Sequence, residues 1–301
     1  MKKKILITGA SGLVGTRLTE LLVDQGYEVC HLGRSKKSGK IKSFVWNIET
    51  GAFDKSALAG VTSIIHLAGA GVADKRWTKK RKQEILQSRI KSTALLFDVL
   101  KNTAHGVESI VSASAIGYYG FSESGEVFTE DAESGSGFLA DVTKQWEREV
   151  DKFNLLNLRT VKLRIGIVLS DEGGALVQMA MPIKLGVGSP LATGKQFLSW
   201  IHIDDLCLMF IKAIEDTRMR GAFNATTAWA SNKELTSAIA KVVHKPIWLP
   251  NVPAFMLRLI VGEMADMIIN GSKVTSQKIQ QFGFVPKYPS LQSALINLLH
   301  K

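Results

Sequence analysis

The chain has 301 residues, 46% of them hydrophobic and 22% charged, with a formal net charge of +11. That size and apolar content support a sizeable core and argue against a long disordered tract. The positive charge sits in local runs at 2–4, 34–42 and 75–82, without interleaved aromatics or a nucleic-acid motif, so no nucleic-acid partner is expected.

In chain order, "KILIT" (4–8) is a short apolar run of strand type, and 13–26 carries apolar residues at helical spacing up to Gly26. Strands are expected at 27–32, 43–47, 62–69, 107–114 and 160–169, with helices at 81–102 and 137–153 between the later ones. Alternating strands and helices predict an α/β fold with a doubly wound parallel sheet. Beyond about residue 170 the alternation loosens, and helices are expected at 173–186, 202–216, 232–244, 253–269 and 291–301. A first part over 1–170 and a smaller second lobe over 171–301 follow, with later segments returning to the first part.

The basic start breaks at Gly9 to Gly12, too early for a signal peptide. The most apolar late stretch contains Arg258, Glu263 and Asp266, so no membrane partner is expected. Cys30 and Cys207 lack CxxC spacing and read as buried reduced thiols, which suits a cytoplasmic protein. His202, Asp204 and Asp205 in "SWIHIDDL" lack a second ligand cluster, so no metal is expected, and one of the aspartates is read as a helix cap.

"ILITGASGLVGTRL" places Gly9, Gly12 and Gly15 between the first strand and the first helix. In that context Gly9 allows a tight turn, Gly12 lets the backbone approach a pyrophosphate, and Gly15 lets the helix pack against the strand. The helix start supplies free N–H groups and a favourable dipole for the anion. The second strand ends in "HLGRSKK", with Arg34 and Ser35 where an acid would hold the ribose 2′-hydroxyl of NAD. A guanidinium there suits a 2′-phosphate, so NADP (NADPH) is the expected cofactor.

These motifs, with "HLAGAG" and "SASAIGYYG" after the fourth and fifth strands, resemble the extended short-chain dehydrogenase/reductases with a Rossmann-type sheet. The chain is similar to an atypical group of them, the NAD(P)-dependent epimerase-like proteins with a small C-terminal domain of unknown function, here at about 248–301. Such proteins are labelled sugar-nucleotide epimerase-like or cell-division-inhibitor-like. "SRIKST" (88–93), "LRIGIVLSDEGGAL" (163–176), "LSWIHIDDL" (198–206) and "VGEMADMIINGSKV" carry that likeness along the chain. The resemblance implies that Gly9, Ser11, Gly12, Leu13 and Val14 line the pyrophosphate, and that Leu67, Ala68 and Gly69 lie along the nicotinamide-side ribose. It also implies that Ser112 and Ser114 border the nicotinamide, and that Arg164, Gly166 and Val168 close the far side.

The usual Tyr-x-x-x-Lys pair of these reductases is absent. Lys144 stands at the lysine position, where it would meet the ribose, but Ala140 stands at the tyrosine position. None of the four tyrosines has a lysine four residues later. Three readings stay open: Tyr118 or Tyr119, beside Ser114, supplies the proton; Asp141 or water substitutes; or the usual carbonyl reduction does not run. Trp77 is a further candidate for the cleft. The function expected is an NADP(H)-binding oxidoreductase or epimerase for an unknown small molecule, a sugar nucleotide among the candidates. The alternative is a non-catalytic NADP(H) sensor acting through a protein partner. Either a monomer or a homodimer fits.

Overall fold

The structure is a computed structural model that describes residues 3–36, 38–122 and 125–300. Lys2, Lys37 and Lys301, which belong to the basic runs and the expected last helix, lie outside the described residues. The first half comprises β1 Lys4–Thr8, α1 Leu13–Asp24, β2 Glu28–Gly33, β3 Lys42–Asn47, β4 Ala52–Phe53, β5 Val61–His66, α2 Lys79–Lys101, β6 Ser109–Ala115, β7 Val127–Phe128, α3 Phe138–Asp151, β8 Arg159–Ile165 and β9 Ile167–Leu169. The second half adds α4 Ala175–Lys184, β10 Phe197–His202, α5 Ile203–Glu215, β11 Gly221–Ala225, β12 Ala228–Ser231, α6 Asn232–Val242, α7 Ala254–Val261, α8 Asp266–Ile269, β13 Lys273–Val274, α9 Gln277–Gln281 and α10 Leu291–Leu299.

Eight strands form the central sheet in the order β11-β8-β6-β5-β1-β2-β3-β4, parallel except where β4 runs against β3. The expected doubly wound α/β fold is therefore present. Its inner strands are unbroken apolar runs because helices cover both faces; Ile5, Leu6, Ile7, Ile64 and Ile65 are fully buried. The chain leaves β1 toward β2 on one side and later returns to β5 on the other. That reversal opens a crevice at the carboxyl ends of β1, β2 and β5.

The expected strand over 160–169 is two strands in two sheets. It breaks at Gly166, where a Cβ would come 2.6 Å from the Ser199 carbonyl oxygen. Beyond that break β9 pairs with β10, which pairs in turn with β12. This small sheet packs with α4, α6 and α10 around a second core that includes Leu176, Trp200, Leu235 and Leu295. The helix expected over 253–269 is likewise interrupted. Gly262 ends α7 at φ +63° before a 3-10 turn and α8. β11 was not anticipated as a strand, and it carries the chain back to the central sheet beside β8.

His202, not an aspartate, caps α5: its Nδ1 accepts the Asp204 N–H at 3.0 Å. Asp204 instead pairs with Arg17 of α1 at 2.7 Å. Asp205 is buried and accepts the N–H groups of Lys287 and Tyr288 at 2.7 and 3.0 Å, which ties the C-terminal segment to the sheet domain.

Candidate active site

The turn after β1 has the shape its glycines imply. Gly9 takes φ +70°, and a Cβ there would lie 2.7 Å from the Leu67 carbonyl carbon. The loops after β1 and β5 therefore touch through bare backbone. A Cβ on Gly15 would lie 2.6 Å from the Ala10 Cα, so this glycine seats α1 against the strand end. A Cβ on Gly12 would meet only the Gly9 carbonyl oxygen, at 3.4 Å. Gly12 is also the N-cap of α1 and gives that helix no side-chain cap. An uncapped helix start opening on a crevice is a ready anion site.

Behind this turn Thr8 Oγ1 accepts the N–H groups of Leu67 and Ala68 at 3.2 and 3.3 Å and lies 2.7 Å from His66 Nδ1. His66 Nε2 meets Thr93 at 3.1 Å. Burial pushes the His66 imidazole down to about 4, so it is neutral and serves only as a hydrogen-bonding spacer.

A groove of about 860 Å³ runs along these loops. Gly9, Ser11, Gly12, Arg34, Ser35, Leu67, Ala68 and Gly69, all singled out in the sequence, line it together. Sequence reasoning missed Trp46, Asn47, Ser88 and Ser92 on the same walls. Trp46 and Asn47 come from β3, which carries no motif, whereas Ser88 and Ser92 belong to the SRIKST motif of α2, whose sequence carries the family likeness but names no contact. Arg34 and Ser35 are exposed at the end of β2, where no carboxylate stands. Leu13 and Val14 do not line the groove by side chain; both pack against the core.

The remaining residues fall elsewhere. Ser112 is buried and its Oγ donates to the Ala113 carbonyl at 2.8 Å. Ser114 is buried and donates to Glu147 Oε1 at 2.6 Å. Glu147 also takes a two-pronged pair from Arg164, at 2.8 and 3.0 Å, and lies 3.3 Å from Lys162. Burial opposes its charge, but Arg164, Lys162 and Ser114 together hold its carboxyl below the usual carboxylate range. Arg164 is not among the residues that line the groove. It is 4% exposed, and its guanidinium is committed to Glu147, Tyr119 and the Glu130 carbonyl. Gly166 is required by the strand crossing described above, and Val168 packs against the main core.

The two adjacent tyrosines separate. Tyr119 is buried; its hydroxyl donates to Asn224 at 2.7 Å and accepts from Arg164 at 2.9 Å. Burial raises it to about 12 despite Arg164. It is a poor proton donor to any ligand. Tyr118 is half-buried, with the Arg164 guanidinium 3.6 Å from its ring centre.

A second cavity of about 370 Å³ lies where the loop after β6 and the start of α3 meet the C-terminal segment. Trp77, Gly117, Gly120, Phe138 and Ala140 line it, with Glu263 and Asp266 on its C-terminal side. It adjoins the position where the usual tyrosine would project. Lys144, one turn beyond Ala140, is half-buried and pairs with Asp141 at 2.9 Å.

A parallel sheet, a glycine-cradled helix start and a groove at the reversal of strand order define a protein of the dinucleotide-binding class. Comparison with known proteins specifies the group. Residues 5–225 match the NAD dependent epimerase/dehydratase family, and residues 252–298 match a domain of unknown function. The chain belongs to the NAD dependent epimerase/dehydratase family. It is 36% identical over 299 residues to an epimerase family protein of Bacillus subtilis, covering 98% of this chain and 97% of that one. It is 35% identical over 302 residues to a chloroplastic epimerase family protein of Arabidopsis thaliana, covering 97% of this chain and 85% of that one. Among solved structures it superposes on the human epimerase family protein SDR39U1 with NADPH at a TM-score of 0.89 and 28% identity, over 99% of both chains. A UDP-glucose 4-epimerase from Thermotoga maritima shares the fold at a TM-score of 0.79 and 17% identity.

Proposed function

We propose that this protein binds NADP(H) in the groove and works as an oxidoreductase or epimerase on a small molecule bearing a hydroxyl or carbonyl group. One observation carries the reading: an uncapped α1 opens at Gly12 on a groove whose β2 end presents Arg34 and Ser35 and no carboxylate. Helix N–H groups suit the pyrophosphate, and a guanidinium suits a 2′-phosphate. The human relative, solved with NADPH, supports the same cofactor.

When bound, the nicotinamide gives or takes a hydride. The chain's own part is to hold the dinucleotide and move a proton. Lys144 is the group for the ribose. Of the two tyrosines Tyr118 is the remaining candidate for the proton, since Tyr119 is committed inside the protein, and Ala140 has no acidic group. Cys30 and Cys207 are buried and unpaired, which suits a reducing, cytoplasmic setting. The substrate is assigned to the second cavity, between Trp77, Phe138 and the C-terminal segment.

The test is an equilibrium titration of Arg34→Glu with NADPH and NADH. Loss of the NADPH preference supports the reading. An unchanged preference removes Arg34 from it.

A further inference from the structure

The second cavity differs from the groove in the charges it presents. The groove has exposed Arg34 at the end of β2, and α1 starts on it with no acid in its first turn. Among the described residues that line the second cavity the one cation is Lys82. That lysine is already paired with Glu263 and lies 5.2 Å from the Phe138 ring centre. The other carboxylate on the cavity wall, Asp266, meets Arg258 at 3.5 Å. α3 also starts here without a side-chain cap, but Asp141 stands in its first turn. A helix start carries about half an elementary positive charge, which one carboxylate in the first turn offsets. A diphosphate brought to this cavity would meet two carboxylates and no unpaired cation on its walls, which is unfavourable.

The rest of the wall is apolar. Trp77 and Phe138 meet edge to face with ring centres 4.9 Å apart, and Trp77 spends its one N–H on the Val72 carbonyl at 2.8 Å. Leu139 joins this cluster, and Met264 and Met267 of the C-terminal segment pack against it. Methionine side chains adapt their shape to what they cover. Phe121, on the same cavity, is 44% exposed, so its ring gains most from an apolar occupant. A volume of about 370 Å³ is at the small end of ligand pockets and suits one or two rings better than a sugar with its nucleotide.

We propose that the second cavity takes an apolar, unphosphorylated ketone or secondary alcohol, held by its aromatic walls, and not a nucleoside-diphosphate sugar. The inference rests on the reading above, which places the substrate in this cavity beside an NADP(H) groove. The reaction balances with that cofactor alone. The ketone carbon gains a hydride from NADPH and its oxygen gains a proton, ultimately from water, which gives the secondary alcohol and NADP⁺. Oxidation of the alcohol runs the same transfer backwards.

The test is calorimetric titration of the NADP⁺-saturated protein with benzylacetone, acetophenone and UDP-glucose, in wild type, Phe121→Ser and Glu263→Gln. The expected result is binding of at least one ketone with a Kd below about 1 mM, and UDP-glucose weaker by about tenfold or more. Phe121→Ser is expected to weaken the ketone by about threefold to tenfold. Glu263→Gln removes a carboxylate and frees Lys82, so UDP-glucose is expected to bind more tightly than to wild type while the ketone binds as before. UDP-glucose binding to wild type as tightly as either ketone overturns the proposal, as does no measurable binding of both ketones. Ketone binding that Phe121→Ser leaves unchanged overturns it too, because the ketone then sits elsewhere. A titration with NADP⁺ alone comes first: if wild type does not bind it, the NADP(H) reading itself fails and the inference falls with it, whereas the other outcomes leave that reading standing.

Discussion

Tyr118 and Tyr119 are neighbours in sequence with opposite fates. Tyr119 turns inward and closes a buried network of Asn224, Arg164, Glu147 and Ser114. Tyr119→Phe strands Asn224 Oδ1 and removes an acceptor from Arg164. Stability is expected to fall by about 1–3 kcal/mol, read by urea unfolding. Tyr118→Phe leaves that network intact, and stability is expected to stay within about 0.5 kcal/mol. If Tyr118 supplies the proton, the same variant lowers turnover with NADPH by about a hundredfold or more. Turnover equal to wild type would leave the proton to Asp141 or water. The pair also shows what a sequence hides. "YYG" marks a wall beside a strand end but does not say which ring faces in, because Asn224 and Glu147 lie far away along the chain.

At the level of elements, the first strand, its turn and α1 were legible because glycine spacing, apolar run and helix period are all local. The end of β2 was legible for the same reason. The network around Glu147 was less so, although a signal existed. Lys162 and Arg164 stand two apart in β8, hence on one face, and two buried cations side by side require an acid nearby. The split of the expected 160–169 strand was hidden in one glycine, whose need arises from Ser199 of another sheet. The two glycines of the phosphate turn give a direct comparison. Gly9→Ala meets the Leu67 backbone at 2.7 Å and an unfavourable φ, so the variant is expected to lose stability with or without ligand. Gly12→Ala meets only one carbonyl at 3.4 Å, so the ligand-free protein is expected to melt near wild type while NADPH affinity falls. Calorimetry with and without NADPH separates the two. A Gly12→Ala protein that binds as wild type would count against the anion site at α1.

Over the whole molecule, the buried polar groups make stability depend on pH in a stated direction. His66 is lowered to about 4 in the fold, against about 6.5 in an unfolded chain. Between those values the unfolded state binds the extra proton, so stability rises with pH through that window and is lost as pH falls toward 4. Glu147, also lowered, contributes stability above its ordinary range and loses it on stronger acidification. From pH 7.5 to 5 His66 alone is expected to remove about 2 kcal/mol, and a His66→Gln protein is expected to lose much less over that interval. Equal slopes in the two proteins would mean that His66 is not the titrating group.

The same molecule-wide arrangement has one purpose in this account, which is to hold a phosphorylated dinucleotide across the crevice where the strand order reverses. The most direct measurement is the ratio of NADPH to NADH affinity of the intact wild-type protein, followed by nicotinamide fluorescence. Tight NADPH binding with NADH weaker by about tenfold or more is predicted, from the charge-assisted contacts available at Arg34 and Ser35. Equal affinities, or no binding of either, would contradict it.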